Sequence, residues 1–254
     1  MIGTIRREIA RYMRGAARRI DAPIQEPEIY KVIGHGRTDP FFDCLVRLGY
    51  KPSHIVDVGA NRGNWTRTAL RYFPDARYTL FEPQEQLLRC TDLDCDSRIQ
   101  IFAVGAGPKT SAMMLSTHER DDSFSFALTE EEAARQGREQ VTAPVVALDE
   151  FLPKQGIPYP DVLKIDAEGW DLEVLKGAEM CAKNADVILL EAAVMNKFFR
   201  NKVENVVSEL AARGFVLFDV TDLNRTQRDG ALWLVELAFV KKSGKLDAVV
   251  NSYI

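Results

Sequence analysis

From residue 54 onward, short apolar runs alternate with segments of helical periodicity, and this alternation leaves few folds open. The runs HIVDVGA (54–60), ARYTLFEP (76–83), IQIFAVGA (99–106), DVLKIDAEG (161–169) and ADVILLEA (185–192) read as five core strands. Helices are expected over 64–74, stopped by Pro74, from Gln84 onward, over 170–183, and over 201–214, where Gly214 can close the last turn. A further helix over 38–50 has Asp39 as a plausible cap and Pro40 in its first turn. Residues 111–117 and 141–152 look like extra strand pieces, and the acidic stretch 129–140 like a solvent-facing helix.

The order predicts a mostly parallel sheet covered by helices on both faces. Two final strands, 215–222 and 232–242, have only a polar loop between them. A parallel pair would need a crossover of roughly a dozen residues or more, so these strands should pair antiparallel. A six-stranded dinucleotide-binding sheet has no such hairpin. The expected fold is therefore an α/β, Rossmann-like class I methyltransferase sheet of seven strands, mostly parallel, with a terminal antiparallel hairpin. Residues 31–254 form that domain.

In such sheets the ligand sits at the carboxyl ends of the strands. The loop after the first run reads VDVGANRGNW, with Asp57, Gly59, Ala60, Asn61 and Gly63 in sequence. Its G-x-N-x-G spacing departs from the G-x-G-x-x-G of dinucleotide sites. A dinucleotide pyrophosphate needs exposed amides and a helix dipole, and Asp57 would be a poor neighbour for it. S-adenosylmethionine instead presents an ammonium and a sulfonium, which favour nearby carboxylates. Asp57 suits that need, directly or through water. Glu82 ends the second strand about 20 residues further on, where a carboxylate can accept bonds from ribose hydroxyls. Ala103 and Val104, ending the third strand, are expected beside the adenine.

These residues resemble a known family. The segments IVDVGANRGNWT, LFEP, VVALDEFL and VLKIDAEGWDLEVLKGA are similar to the FkbM family of S-adenosylmethionine-dependent methyltransferases, over roughly 53–195. Lys164, Ile165, Asp166, Glu168 and Gly169 agree with the family's K-I-D-V-E-G-x-E pattern; Ala167 is a variant, and Asp171 stands where Glu is usual. The resemblance implies methylation of hydroxyl oxygens on sugars, polyketides and related natural products. Its acceptor would be a small molecule or a glycan.

Methyl transfer to oxygen is an in-line displacement, so much of the acceleration comes from positioning. A sugar hydroxyl is a weak nucleophile and benefits from a base or a metal. Asp166 and Glu168 are expected to point the same way if the fourth strand continues that far. They would then divide the work of proton acceptor and orienting group, or together hold a divalent cation. Asp166 could also contact the donor. Glu191, ending the fifth strand, is a third candidate. Lys164 could face the same side, and His118, Ser123 and Ser125 lie in a loop expected to face the acceptor.

Composition narrows the class further. The net charge of −4 excludes a general nucleic-acid binder, which needs surplus Lys and Arg. Cys44, Cys90, Cys95 and Cys181 form no metal-like spacing with His35, His54 or His118, which reads as reduced thiols in a cytoplasmic protein. No apolar stretch approaches the ~20 residues of a membrane span, and no secretory signal is visible. Residues 1–20 carry six arginines against one acid, Glu8, beside an apolar stripe of Ile5, Ile9, Tyr12, Met13, Ala16 and Ile20. Residues 1–30 thus read as a basic amphipathic helix and linker. The helix either rests on an anionic membrane surface at the inner face or packs on the catalytic domain or a second copy of the chain.

Overall fold

A computed structural model describes residues 38–88, 92–117, 125–135, 137–196, 199–226 and 228–250. The basic segment 1–20, the linker after it, His118 and Ser123 lie outside the described residues.

The chain opens with α1 (Thr38–Arg47), β1 (His54–Val58), α2 (Asn64–Tyr72), β2 (Arg77–Phe81) and the single turn α3 (Glu85–Leu88). After a 3₁₀ turn come β3 (Ile99–Phe102), β4 (Gly105–Ala106), β5 (Ser111–Thr117), α4 (Glu130–Arg135), β6 (Glu139–Val146) and α5 (Leu148–Lys154). The remainder is β7 (Val162–Ile165), α6 (Asp171–Lys176), α7 (Glu179–Asn184), β8 (Val187–Ala193), α8 (Val203–Ala212), β9 (Phe215–Arg225), β10 (Leu232–Lys241) and α9 (Lys245–Val249).

Seven strands form one sheet in the order β3-β2-β1-β7-β8-β10-β9. The pairs β1–β2, β2–β3, β1–β7 and β7–β8 are parallel, while β10 runs antiparallel to both β8 and β9. This is the expected α/β class I methyltransferase sheet with its terminal hairpin. Every residue of β1 and β7 is buried, because helices cover both faces and no strand face meets water. Alternate residues serve opposite cores. Ile55, Val162, Val187, Leu189 and Ala238 pack with Phe41, Phe42 and Ala69 of α1 and α2. Val56, Leu163, Ile165, Ile188 and Leu190 pack with Leu148, Leu152, Val174, Val206 and Leu210 of α5, α6 and α8. Phe42 anchors the first core, edge-on to Trp65 and Phe73 at 5.3 and 5.4 Å between ring centroids. Such pairs contribute about 0.5–1.5 kcal/mol each beyond their buried area.

Several elements differ from the sequence-based expectation. The run 99–106 does not continue as one strand. It leaves the main sheet after Phe102, and Gly105–Ala106 join a second, three-stranded sheet ordered β4-β6-β5. The segment 148–152 is helix rather than strand, since Leu148 and Leu152 fall one turn apart and are both fully buried. The acidic helix is confined to Glu130–Arg135. Glu132 accepts from Thr129 N at 2.9 Å while its own N–H meets Thr129 Oγ1 at 3.2 Å, a capping box, and Glu139 already belongs to β6. The helix expected over 170–183 is two. A Cβ on Gly177 would stand 2.0 Å from Gly107 O, so the backbones touch there and α6 ends. Asp149 then caps α7, accepting from Met180 N and Cys181 N at 2.7 and 2.9 Å.

Candidate functional site

The loop after β1 is fixed by its neighbours. Gly59 N and Ala60 N both donate to Phe81 O, at 2.9 and 3.1 Å, tying the loop to the end of β2. Gly59 and Gly63 have positive φ of 75° and 77°, and Asn61 follows at 48°. The bare faces of both glycines meet the chain itself. A Cβ on Gly59 would lie 1.8 Å from Asp166 O, and one on Gly63 would lie 2.2 Å from Leu93 Cδ1. Gly59 thus permits β1 and β7 to end side by side, and Gly63 starts α2 against the 3₁₀ turn.

A cleft open to solvent at its mouth lies over these strand ends. Val58, Gly59 and Asn61 form one wall with Phe81, Glu82 and Pro83; Asp166, Ala167 and Glu168 form another. Gly105, Ala106 and Leu115 close it from the small sheet, with Phe126 from the segment bridged to that sheet at Ser125. Glu82 is fully buried and accepts from Asn61 N and Gln84 N, each at 2.9 Å. Burial outweighs these two bonds and pushes its carboxyl up to about 7.

Asp57 does not line this cleft. It is fully buried, taking a 2.6 Å bond from Thr66 Oγ1 and lying 3.2 Å from Lys164 Nζ. Lys164 Nζ is also 3.2 Å from Asp166 Oδ2 and 5.8 Å from the centre of the Trp65 ring. Burial favours loss of the lysine proton, but Asp166 and Asp57 outweigh it and raise its pKa, keeping the ammonium charged. Lys164, expected at the acceptor, is therefore a buried counter-ion that sets Asp57 and Asp166 in place.

Asp166 keeps 38% of its side chain exposed at the cleft. Glu168 lines the cleft too, though not by strand alternation. Strand β7 ends at Ile165, and Glu168 sits in the turn that follows with φ of 50°. Asp171 holds that turn. Its carboxylate accepts from Gly169 N at 3.2 Å, Ala167 N at 3.5 Å and Asn201 Nδ2 at 3.1 Å. Ser125, expected to meet the acceptor, spends its hydroxyl on Glu168 O at 2.7 Å and accepts from Ala127 N at 3.0 Å. Ala60 is buried behind the loop, and Ala103 and Val104 are half-buried outside the lining; Gly105 and Ala106 take the place expected of them.

Glu191 stands beyond Asp166, within β8 and two residues before its end. In the sheet register it lies directly opposite Glu236 of β10, which in turn faces Asp222 of β9. Sequence reading missed Glu236, because cross-strand partners are set by register and leave no local signal. It missed Leu115 and Phe126, because the extra strand pieces gave no sign that they pair as a second sheet beside the cleft.

The residues present suit S-adenosylmethionine. An apolar wall of Phe81, Ala106, Leu115 and Phe126 can take the nucleoside, Glu82 its ribose hydroxyls, and the Asp166–Glu168 side its cationic end. Among the described residues, no group of three or more His, Cys, Asp or Glu side chains is placed to hold a metal ion. No helix among them is long and apolar enough to cross a membrane.

Comparison with known proteins finds methyltransferases. A methyltransferase named sdnD from Sordaria araneosa is 29% identical over 188 residues, covering 61% of this chain and 70% of the relative. A trans-aconitate 2-methyltransferase from Mycobacterium marinum is 31% identical over a shorter stretch, 25% of this chain and 24% of its own. Among solved structures, an FkbM methyltransferase from Methylobacillus flagellatus aligns with a TM-score of 0.47 and 18% identity, over 73% of this chain. The chain spans only 43% of that protein's length. The methyltransferase FkbM domain itself matches residues 57–217, well over half the chain and the whole stretch from Asp57 to the start of β9, and this protein belongs to that methyltransferase family.

Proposed function

We propose that the chain transfers a methyl group from S-adenosylmethionine to a hydroxyl oxygen of a saccharide, glycolipid or related natural product. One observation supports this above the rest. The cleft places a buried carboxylate, Glu82, on one wall and the carboxylates of Asp166 and Glu168 on the other. A cationic donor is attracted to the second wall, and a hydroxyl acceptor brought there meets groups able to take its proton. Lys164 pairs with and orients Asp166, and Asp171 with Ser125 fixes the turn bearing Glu168. In-line alignment supplies the remainder, up to about 7–11 kcal/mol in ideal systems. The sugar acceptor rests on the family resemblance alone.

The experiment supplies a donor with a deuterated methyl group to cells with and without this protein and hydrolyses their glycans and small metabolites. Label in an O-methyl sugar, present only with the protein, is the expected result. Label on nitrogen, carbon or protein would refute the oxygen assignment. Glu82→Ala should weaken binding of S-adenosylhomocysteine at least about tenfold, the loss of a charged hydrogen-bonding partner. Unchanged affinity would remove Glu82 from the ribose site.

A further inference from the structure

Glu191 is surrounded by like charge. Asp166, Glu168, Asp171 and Glu236 are the charged groups that bear most on it, from the turn after β7, α6 and β10. Its Oε2 is shielded from solvent and has no hydrogen-bond partner among the described residues. Asn201, 1% exposed, donates to Asp171 Oδ2 and to Glu191 O at 2.6 Å, yet its own Oδ1 also lacks a partner. Lys164 lies at Asp57 and Asp166, one strand away, where those carboxylates already share it. Directly opposed like charges on neighbouring strands are destabilising, and a shielded carboxylate oxygen without a partner is costly. Burial and these carboxylates raise the pKa of Glu191 and so favour its protonated form while the cleft holds no cation.

The two acids nearest Glu191 in effect, Asp166 and Glu168, are the two that line the cleft. A positive charge brought to them acts on Glu191 as well. We propose that Glu191 is a proton switch read by the donor's charge: arrival of the sulfonium drives Glu191 from the carboxylic acid to the carboxylate. The proton leaves to solvent. Glu191 is thus charged only while a methyl donor is bound, and takes up a proton again once the sulfonium has become a neutral thioether. This rests on the cleft being the donor site. It adds Glu236 as the positioning residue whose charge helps hold the proton on Glu191 beforehand.

Linkage makes the idea measurable without any acceptor. If one proton leaves with each donor bound, affinity for S-adenosylmethionine rises by up to about tenfold per pH unit across the switching range. S-adenosylhomocysteine shares every group except the charged sulfur and its methyl, so its affinity should vary far less. Titration calorimetry of the full chain in buffers of different ionisation enthalpy, at pH 7, counts the protons directly. For the wild type the expected result is release of about half to one proton per S-adenosylmethionine and much less for S-adenosylhomocysteine. Glu191→Gln should abolish the difference between the two ligands, and Glu236→Gln should reduce it.

Equal proton counts for both ligands in the wild type overturn the proposal, and this comparison needs no variant to fold. An undiminished difference in Glu191→Gln overturns the assignment to this residue. Both results leave the donor site itself intact, whereas failure of either ligand to bind removes the donor reading and this inference together.

Discussion

Gly59 carries two demands at one position. Its φ of 75° lies where a side chain is strained, and the space a Cβ would occupy is filled by Asp166 O at 1.8 Å. Gly59→Ala should cost about 1–2 kcal/mol for the left-handed backbone and a further 1–3 kcal/mol for displacing the β7 end. Gly156 offers the comparison, since it has φ of 68° with nothing within 4 Å. Gly156→Ala should cost only the first amount. Urea denaturation of both variants checks this, and equal losses would show that the contact with Asp166 yields freely. The Gly59 variant should also weaken S-adenosylhomocysteine binding, because the displaced carbonyl belongs to a residue of the cleft.

At the scale of elements, the turn between β7 and α6 shows how rigid backbone delivers a carboxylate. Asp171, buried, gathers Ala167 N, Gly169 N and Asn201 Nδ2 onto its two oxygens. Asp171→Ala leaves the buried Gly169 N–H without its acceptor, which should cost about 1–3 kcal/mol. It should also loosen Glu168 and lower affinity for S-adenosylhomocysteine; stability lost with affinity unchanged would separate the turn from the site. The motif K-I-D-A-E-G was legible in the sequence, as were the parallel strands and the final hairpin, because buried runs, helix stops and a loop too short for a crossover are local signals. The direction of Glu168 was not. Strand alternation was extended to a residue that the turn had already rotated to positive φ. The strand pieces at 111–117 and 141–146 were legible, but their pairing into a separate sheet was not, since it joins Ser111–Thr117 to residues 22 to 34 positions away, and the sheet's first strand is only two residues long. The opposition of Glu191 and Glu236 likewise depends on a register that no stretch of either strand specifies alone.

Across the whole molecule, the acids crowded at the strand ends should set the pH dependence of stability. Burial pushes the carboxyls of Glu82, Asp171 and Glu236 up to about 7 each, and burial with neighbouring carboxylates raises Glu191 well above the usual carboxylate range. Unfolded, these groups titrate near 4. Between about pH 4 and 7 the folded chain thus binds more protons than the unfolded one, and stability falls as pH rises through that window. His54 works the other way. It is buried against Thr79 Oγ1 at 2.9 Å, and burial lowers its pKa, so its contribution is present above about 6.5 and lost as pH falls below it. Four acids oppose one histidine. The acids lowered at the surface, such as Asp96 with a pKa of about 2 beside Arg98, change only below about pH 4. The ligand-free protein should therefore melt at least about 4 °C lower at pH 8 than at pH 5.5, equivalent to roughly 1–2 kcal/mol for a domain of this size. Calorimetry at constant ionic strength tests this, and a melting temperature that is flat or rises over the same interval would mean that water or rearrangement relieves the buried acids. Saturating S-adenosylmethionine should flatten the slope, because a cation in the cleft stabilises the carboxylate forms that the empty site penalises.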